Sequence, residues 1–242
     1  MDVRWEEFGW ERLGDGVGRR RLPIWDATAA LVAGESSLLL CDTGSTLREG
    51  AELRAQAEAL FGRRVTHIAL SHPHFDHVLG TAAFSGAQVY GAVGIERALG
   101  REAIRADAVG HGVSDQDAAE ATDLLVPPHH SVCGEWTLEL GGRQVLLANV
   151  GPGHSGHDLA VLVPASGGSP EIVFCGDLVE ESGEPQAGPD AVTSRWPAAL
   201  DRLLSLGGED AVYVPGHGAV VDAAFVRAQR DGLAVRFGGS GS

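Results

Sequence analysis

Three imidazoles and a carboxylate crowd into Ser71-His72-Pro73-His74-Phe75-Asp76-His77, directly after the apolar run Val65–Leu70. In extended chain, side chains two apart share a face, so His72 and His74 can point to one side. Asp76 and His77 follow as the chain turns toward Gly80, which can set them around a neighbouring point. Imidazole nitrogen mixed with carboxylate oxygen suits a borderline divalent cation such as Zn2+. Three more candidate ligands sit in similar surroundings: His154 in Gly151-Pro152-Gly153-His154-Ser155-Gly156-His157-Asp158, Asp177 in Phe174-Cys175-Gly176-Asp177, and His217 in Val214-Pro215-Gly216-His217-Gly218. Any one of these could be an ordinary turn residue. Seven nitrogen and oxygen donors with one grammar point to a metal site.

Such residues need a scaffold that brings them together. Each group trails an apolar run of strand length: Val65–Leu70, Val145–Val150, Ile172–Cys175 and Ala211–Val214. Ala29–Val32, Ser37–Cys41 and Leu159–Val163 add further strands, the first two joined by a tight turn at Gly34-Glu35. The ligands are thereby expected just beyond strand ends, in turns where glycine allows close backbone approach. Helical periodicity places Leu53, Ala57, Leu60 and Phe61 on one face over 47–62. It does the same for Trp196, Leu200, Leu203 and Leu204 over 195–206, with Ser194 as cap and Gly207 as stop. Another helix begins near Asp222, and 92–125 is mostly helical. The expectation is an α/β chain with helices over sheets, one domain across 1–236 and a flexible tail at 237–242.

The order HxHxDH, Gly-flanked His, Gly-Asp, Pro-Gly-His resembles the metallo-β-lactamase superfamily of dinuclear hydrolases, from about Thr28 to the last helix. That resemblance implies an αββα sandwich with metals at one edge of two sheets. It implies that His72, His74 and His154 hold one ion, Asp76, His77 and His217 the other, and that Asp177 bridges them. Asp42, in Leu40-Cys41-Asp42-Thr43-Gly44, matches a family aspartate that braces the ligands from behind. Two divalent ions about 3.5–4 Å apart would then activate a shared hydroxide against a carbonyl of an ester, thioester, lactone or amide. Zinc is the expected metal, with Fe2+ or Mn2+ also compatible with these donors. Asp76 is the expected catalytic acid–base, orienting the nucleophile and passing a proton to the leaving group.

Departures from subfamily patterns narrow the branch. His74 stands where flavodiiron proteins have glutamate. Asp177 and His77 stand where one lactamase class has cysteine and arginine, and Glu180 where acyl-homoserine lactonases have tyrosine. Leu178-Val179-Glu180-Glu181-Ser182 fits poorly with glyoxalase II and persulfide dioxygenase. What remains is a generic hydrolase of small molecules. Alternatives are a mononuclear iron oxygenase of the persulfide dioxygenase type using His72, His154 and Asp177, a β-lactamase-like enzyme, and a non-catalytic member that kept the fold.

Composition excludes other classes. All 18 basic residues among 242 are arginine, which removes any lysine-dependent phosphate or Schiff-base site. A net charge of −15 repels a phosphate backbone, so no nucleic-acid partner is expected. No membrane partner is expected either, and the acidic, aromatic opening MDVRWEEFGW gives no export signal. A small-molecule substrate and a cytoplasmic location follow as expectations. Cys41, Cys133 and Cys175 read as buried hydrophobes, Trp196 as core, His67 as a strand residue, and His129-His130 as an exposed loop. Substrate choice is expected from Gly91–Val132 and Val179–Arg195, the latter carrying Glu180, Glu181 and Glu184 at an acidic rim.

Overall fold

The computed structural model describes residues 4–238. In chain order the strands are β1 (Glu11–Gly14), β2 (Val17–Arg21), β3 (Thr28–Ala33), β4 (Leu38–Cys41), β5 (His67–Ala69), β6 (Gln88–Ala92), β7 (His130–Val132), β8 (Glu135–Glu139), β9 (Gln144–Asn149), β10 (Leu159–Val163), β11 (Ile172–Glu180) and β12 (Val212–His217). The helices are α1 (Leu47–Phe61), α2 (Phe75–Val78), α3 (Ile95–Ala98), α4 (Arg101–Gly110), α5 (Asp115–Asp123), α6 (Trp196–Gly207) and α7 (Ala223–Gly238).

Strands β1 to β7 form one sheet in sequence order, and β12-β11-β10-β9-β8 form the other. The first is antiparallel from β1 to β4 and parallel from β4 to β7. The second is antiparallel except for the parallel pair β11–β12. The chain therefore passes from one sheet to the other once, through Cys133-Gly134.

Strict alternation along the strands explains the layering. Leu38 and Leu40 face the helices while Leu39 and Cys41 face the opposite sheet. Val173 and Cys175 pack under α6 and α7, whereas Ile172 and Phe174 point inward. Both faces of these strands are buried, so they read as unbroken apolar runs. The result is four layers: α1 and α3–α5 outside the first sheet, the two sheets face to face, and α6 and α7 outside the second. This is the αββα sandwich.

Local signals act where expected, with corrections. Thr46 Oγ1 accepts from the Glu49 amide, and Gly62 at φ 65° ends α1. Ser194 does not cap α6. The cap position is Arg195, without a side-chain bond, and the helix runs one residue further, through Gly207. The 92–125 segment divides into α3, α4 and α5, and Ser114 caps α5 through the Asp117 amide. Helix α7 starts after Asp222, whose carboxylate accepts from the Phe225 amide at 2.9 Å. It continues through Phe237 and Gly238, where a tail was expected, and 239–242 lie outside the described residues. Cys133 is exposed, against expectation, because it sits in the crossing between sheets.

Candidate metal centre

His72, His74, Asp76 and His77 lie in the turn and single helical turn that follow β5, at one edge of the sandwich. His154 lies in the Gly-rich loop after β9. Asp177 and His217 were expected beyond strand ends but lie inside strands: β11 continues through Asp177 to Glu180, and β12 ends on His217. The β11–β12 register shifts on either side of Gly176, which takes φ +53°. This kink lets the strand carry Asp177 into the site while remaining paired. A Cβ on Gly216 would lie 1.8 Å from Asp177 Oδ1, so only glycine fits there.

The seven residues converge. Donor atoms of His72, His74, His154 and Asp177 lie within 4.8 Å of one another, as do those of Asp76, His77 and His217. Asp177 stands between the groups. Its Oδ2 is 3.5 Å from His72 Nε2, 3.5 Å from His154 Nε2 and 3.3 Å from His217 Nε2, and its Oδ1 is 3.2 Å from His77 Nε2. Asp76 Oδ2 is 3.3 Å from His217 Nε2.

The partners on the far side of each ring decide which nitrogen is free. Asp42 accepts from the Ser71 amide (2.8 Å), the Ser71 hydroxyl (2.7 Å) and His77 Nδ1 (2.9 Å). Having given its proton to Asp42, Ser71 Oγ must accept from His72 Nδ1 at 2.9 Å. His217 Nδ1 donates to the Trp25 carbonyl (2.8 Å), His154 Nδ1 to the Gln186 carbonyl (3.1 Å), and His74 Nε2 to Asp190 (3.1 Å). Every ring therefore spends one N–H outward and turns its other nitrogen inward, a lone pair whenever the ring is neutral. His74 Nδ1 and His154 Nε2 are 3.0 Å apart, and His77 Nε2 and His217 Nε2 3.4 Å apart. Two lone pairs cannot bond each other at such distances; a proton on one ring, or a shared cation, satisfies both. His72 Nε2 and Asp177 Oδ1 are buried without any hydrogen-bond partner, which fits the same ligand.

Electrostatics agree with a cation site. Burial holds His72 well below the usual imidazole range and lowers His154 to about 4, so both stay neutral, the ligating form. Burial pulls Asp177 up, but His77, His72 and His217 outweigh it and hold the carboxylate well below its ordinary range. Burial also opposes charge on His217, yet Asp177 and Asp76 raise it to about 11. Without a metal, a proton balances the carboxylates there, and a cation would displace it.

Asp42 takes φ +56° and is buried just beyond the end of β4, behind the candidate ligands His72 and His77. The sequence reading missed Trp25, Gln186 and Asp190. Two of them act through backbone carbonyls, which leave no residue-type signal. Glu180 is not at an acidic rim. It is 7% exposed, bonded to Ser182 Oγ at 2.6 Å, and has a carboxylate oxygen within 4.8 Å of donor atoms of Asp177 and His217. Glu181 and Glu184 are exposed. His130 lies in β7, stacked on Tyr90 at 4.6 Å, against expectation, whereas His129 is exposed just before the strand, as expected, its Nδ1 accepting from the Val89 amide. Trp196 is fully buried, as expected, and its ring lies 5.4 Å from that of His154. No helix among the described residues is long and apolar enough to cross a membrane.

Solved structures with this architecture include a metallo-beta-lactamase from Pontibacter korlensis, with TM-score 0.71 and 20% identity over 92% of this chain and 98% of that one. The metallo-beta-lactamase FIM-1 from Pseudomonas aeruginosa, in a mono-zinc form, gives 0.70 and 20%, over 94% of each chain. One from Hirschia baltica gives 0.67 and 18%, over 93% and 96%. At these identities the likeness speaks for the fold alone. The family model of the metallo-beta-lactamase superfamily matches residues 23–217, a span that holds every candidate ligand, and the chain belongs to that superfamily.

Proposed function

We propose that the protein is a metal-dependent hydrolase of a small molecule, holding two divalent cations and cleaving an ester, thioester, lactone or amide. The observation that carries this is the inward convergence of five imidazole nitrogens around Asp177, with two buried donor atoms left unpartnered. His72, His74 and His154 would hold one ion, Asp76, His77 and His217 the other, and Asp177 both. Zinc suits the mixed nitrogen and oxygen donors best. When bound, such a pair of cations acidifies a water and polarises the carbonyl it attacks.

The chain's own residues then have separable tasks. Asp177, packed among four imidazoles, fixes the spacing of the two donor groups. Asp76 is the carboxylate of the second group, 9% exposed, and would take a proton from the attacking water and deliver it to the leaving group. Asp42 and Ser71 hold the His72 and His77 rings in the ligating tautomer. The complete second donor group counts against a mononuclear iron oxygenase, which would use only the first. The test joins elemental analysis of metal-replete protein to a hydrolysis screen over thioesters, lactones, esters and β-lactams. About two zinc ions per chain, with activity lost on chelation and restored by Zn2+, is the expected result. A single iron, or no metal after replete expression, refutes the reading.

A further inference from the structure

The two acceptors that set the His74 and His154 tautomers come from one stretch of chain. Gln186 and Asp190 lie between β11 and α6, in a segment without helix or strand. Its ties are specific. The Val192 amide donates to the Gly153 carbonyl at 2.9 Å, next to His154, and the Ala191 amide closes a turn onto Gly188 at 3.1 Å. At the far end, Arg236 of α7 donates to the Pro185 carbonyl at 2.9 Å. His72, by contrast, takes its tautomer from Ser71 and Asp42, and His77 from Asp42 directly. These braces belong to the chain just after β4 and β5. Two of the three imidazoles of the first donor group are therefore braced by this segment, whereas those of the second are braced by Asp42 and the Trp25 carbonyl.

We infer that residues 184–192 act as a strap whose closure completes the His72–His74–His154 ion site, with Asp190 as its positioning residue. The inference rests on the metal reading of the centre. An Asp190 carboxylate has no proton to donate, so His74 keeps its proton on Nε2 and offers Nδ1. The Gln186 carbonyl imposes the matching choice on His154. With the strap open, both rings are free to rotate and to take the wrong tautomer. Of the three imidazoles only His72 then stays preorganised, while Asp76, His77 and His217 all keep their positions. Binding of that ion and ordering of the strap become one equilibrium, by the reciprocity of linked equilibria.

The test uses full-length protein stripped of metal and titrated with Zn2+ against a chromophoric chelator. A parallel Co2+ titration is followed by visible absorption, and amide exchange is measured over 184–192. Asp190→Ala is expected to weaken one of the two binding steps by about 10–100-fold and leave the other within about twofold. Asp190→Asn, which keeps an accepting oxygen, should recover most of that loss. Arg236→Ala, far from the ligands, should weaken the same step by a few-fold. Zn2+ should protect 184–192 from exchange in wild type and not in Asp190→Ala. If wild type binds two ions and Asp190→Ala binds both equally well, or loses both equally, the strap is overturned and the hydrolase reading stands. If wild type binds no metal, both fall.

Discussion

Asp42→Asn removes a charge without changing shape, and the site predicts a large effect from it. Asparagine is among the few side chains that tolerate the left-handed backbone at φ +56°, so strain is not introduced. The carboxylate faces three donors: the Ser71 amide at 2.8 Å, the Ser71 hydroxyl at 2.7 Å and His77 Nδ1 at 2.9 Å. An amide offers one oxygen, which can stay with the Ser71 amide. Its NH2 then occupies the other oxygen's place, where it opposes the Ser71 hydroxyl proton and the His77 N–H. Relief requires the hydroxyl to turn and donate to His72 Nδ1, and His77 to move its proton to Nε2. Each change converts an inward lone pair into an N–H. A hydrogen bond to a charged group is worth about 1.5–3 kcal/mol, so two disrupted contacts amount to about 3–6 kcal/mol. At about 1.4 kcal/mol per decade this is two to four decades of zinc affinity, spread over both ions, since His72 and His77 belong to different groups. Competition titration of metal-stripped protein would read it, with circular dichroism to show retained fold. Asp42→Asn that binds both ions within about threefold of wild type would refute the tautomer argument.

Other perturbations separate the remaining roles. Asp76→Asn should lower turnover by about 10²–10⁴-fold in a folded protein, and near-wild-type turnover at full metal occupancy would remove it from proton transfer. Gly216→Ala places a methyl on the Asp177 carboxylate and should strip metal from both groups, read by elemental analysis. Normal metal content would show that β12 can shift to accommodate it. Asp158 is buried and pushed up to about 7 despite bonds from the Ser155 amide and hydroxyl. Its folded value exceeds its unfolded value of 3.8, so its contribution is full below that pH and is lost as pH rises through about 7. Denaturant titrations should show wild type losing about 2–4 kcal/mol relative to Asp158→Asn between pH 4 and 8, and no relative change would disprove the shift.

The candidate site was largely legible because its donor residues are side chains of rare type at short spacing, as His72, His74, Asp76 and His77 show. Strands β3, β4, β10 and β11 were legible because both faces are buried. The charged β1 and β8 were not: Glu135–Glu139 buries only Leu138, so no apolar run announces it. Asp177 was placed beyond its strand because Gly176-Asp177 looks like a turn. Pairing with β12 lets β11 kink there and continue. The burial of Glu180 follows from that continuation, which a local reading cannot foresee. The braces at Trp25 and Gln186 are backbone carbonyls that any residue supplies.

The single passage of the chain between sheets, at Cys133-Gly134, has a mechanical consequence. His72, His74, Asp76 and His77 hang from the first sheet, whereas His154, Asp177 and His217 belong to the second, so the two halves of the sandwich are covers sharing one spine. Cations gripped by both would act as a clasp at the open edge, a cross-link that shrinks the entropy of the opened state as a disulfide does. Free zinc at a hundred times its dissociation constant would add about 2.7 kcal/mol per site to the closed form. Release of the clasp leaves the apolar faces to hold the covers together, helped by hydrogen bonds such as that from the Leu159 amide to the Ser71 carbonyl at 2.7 Å.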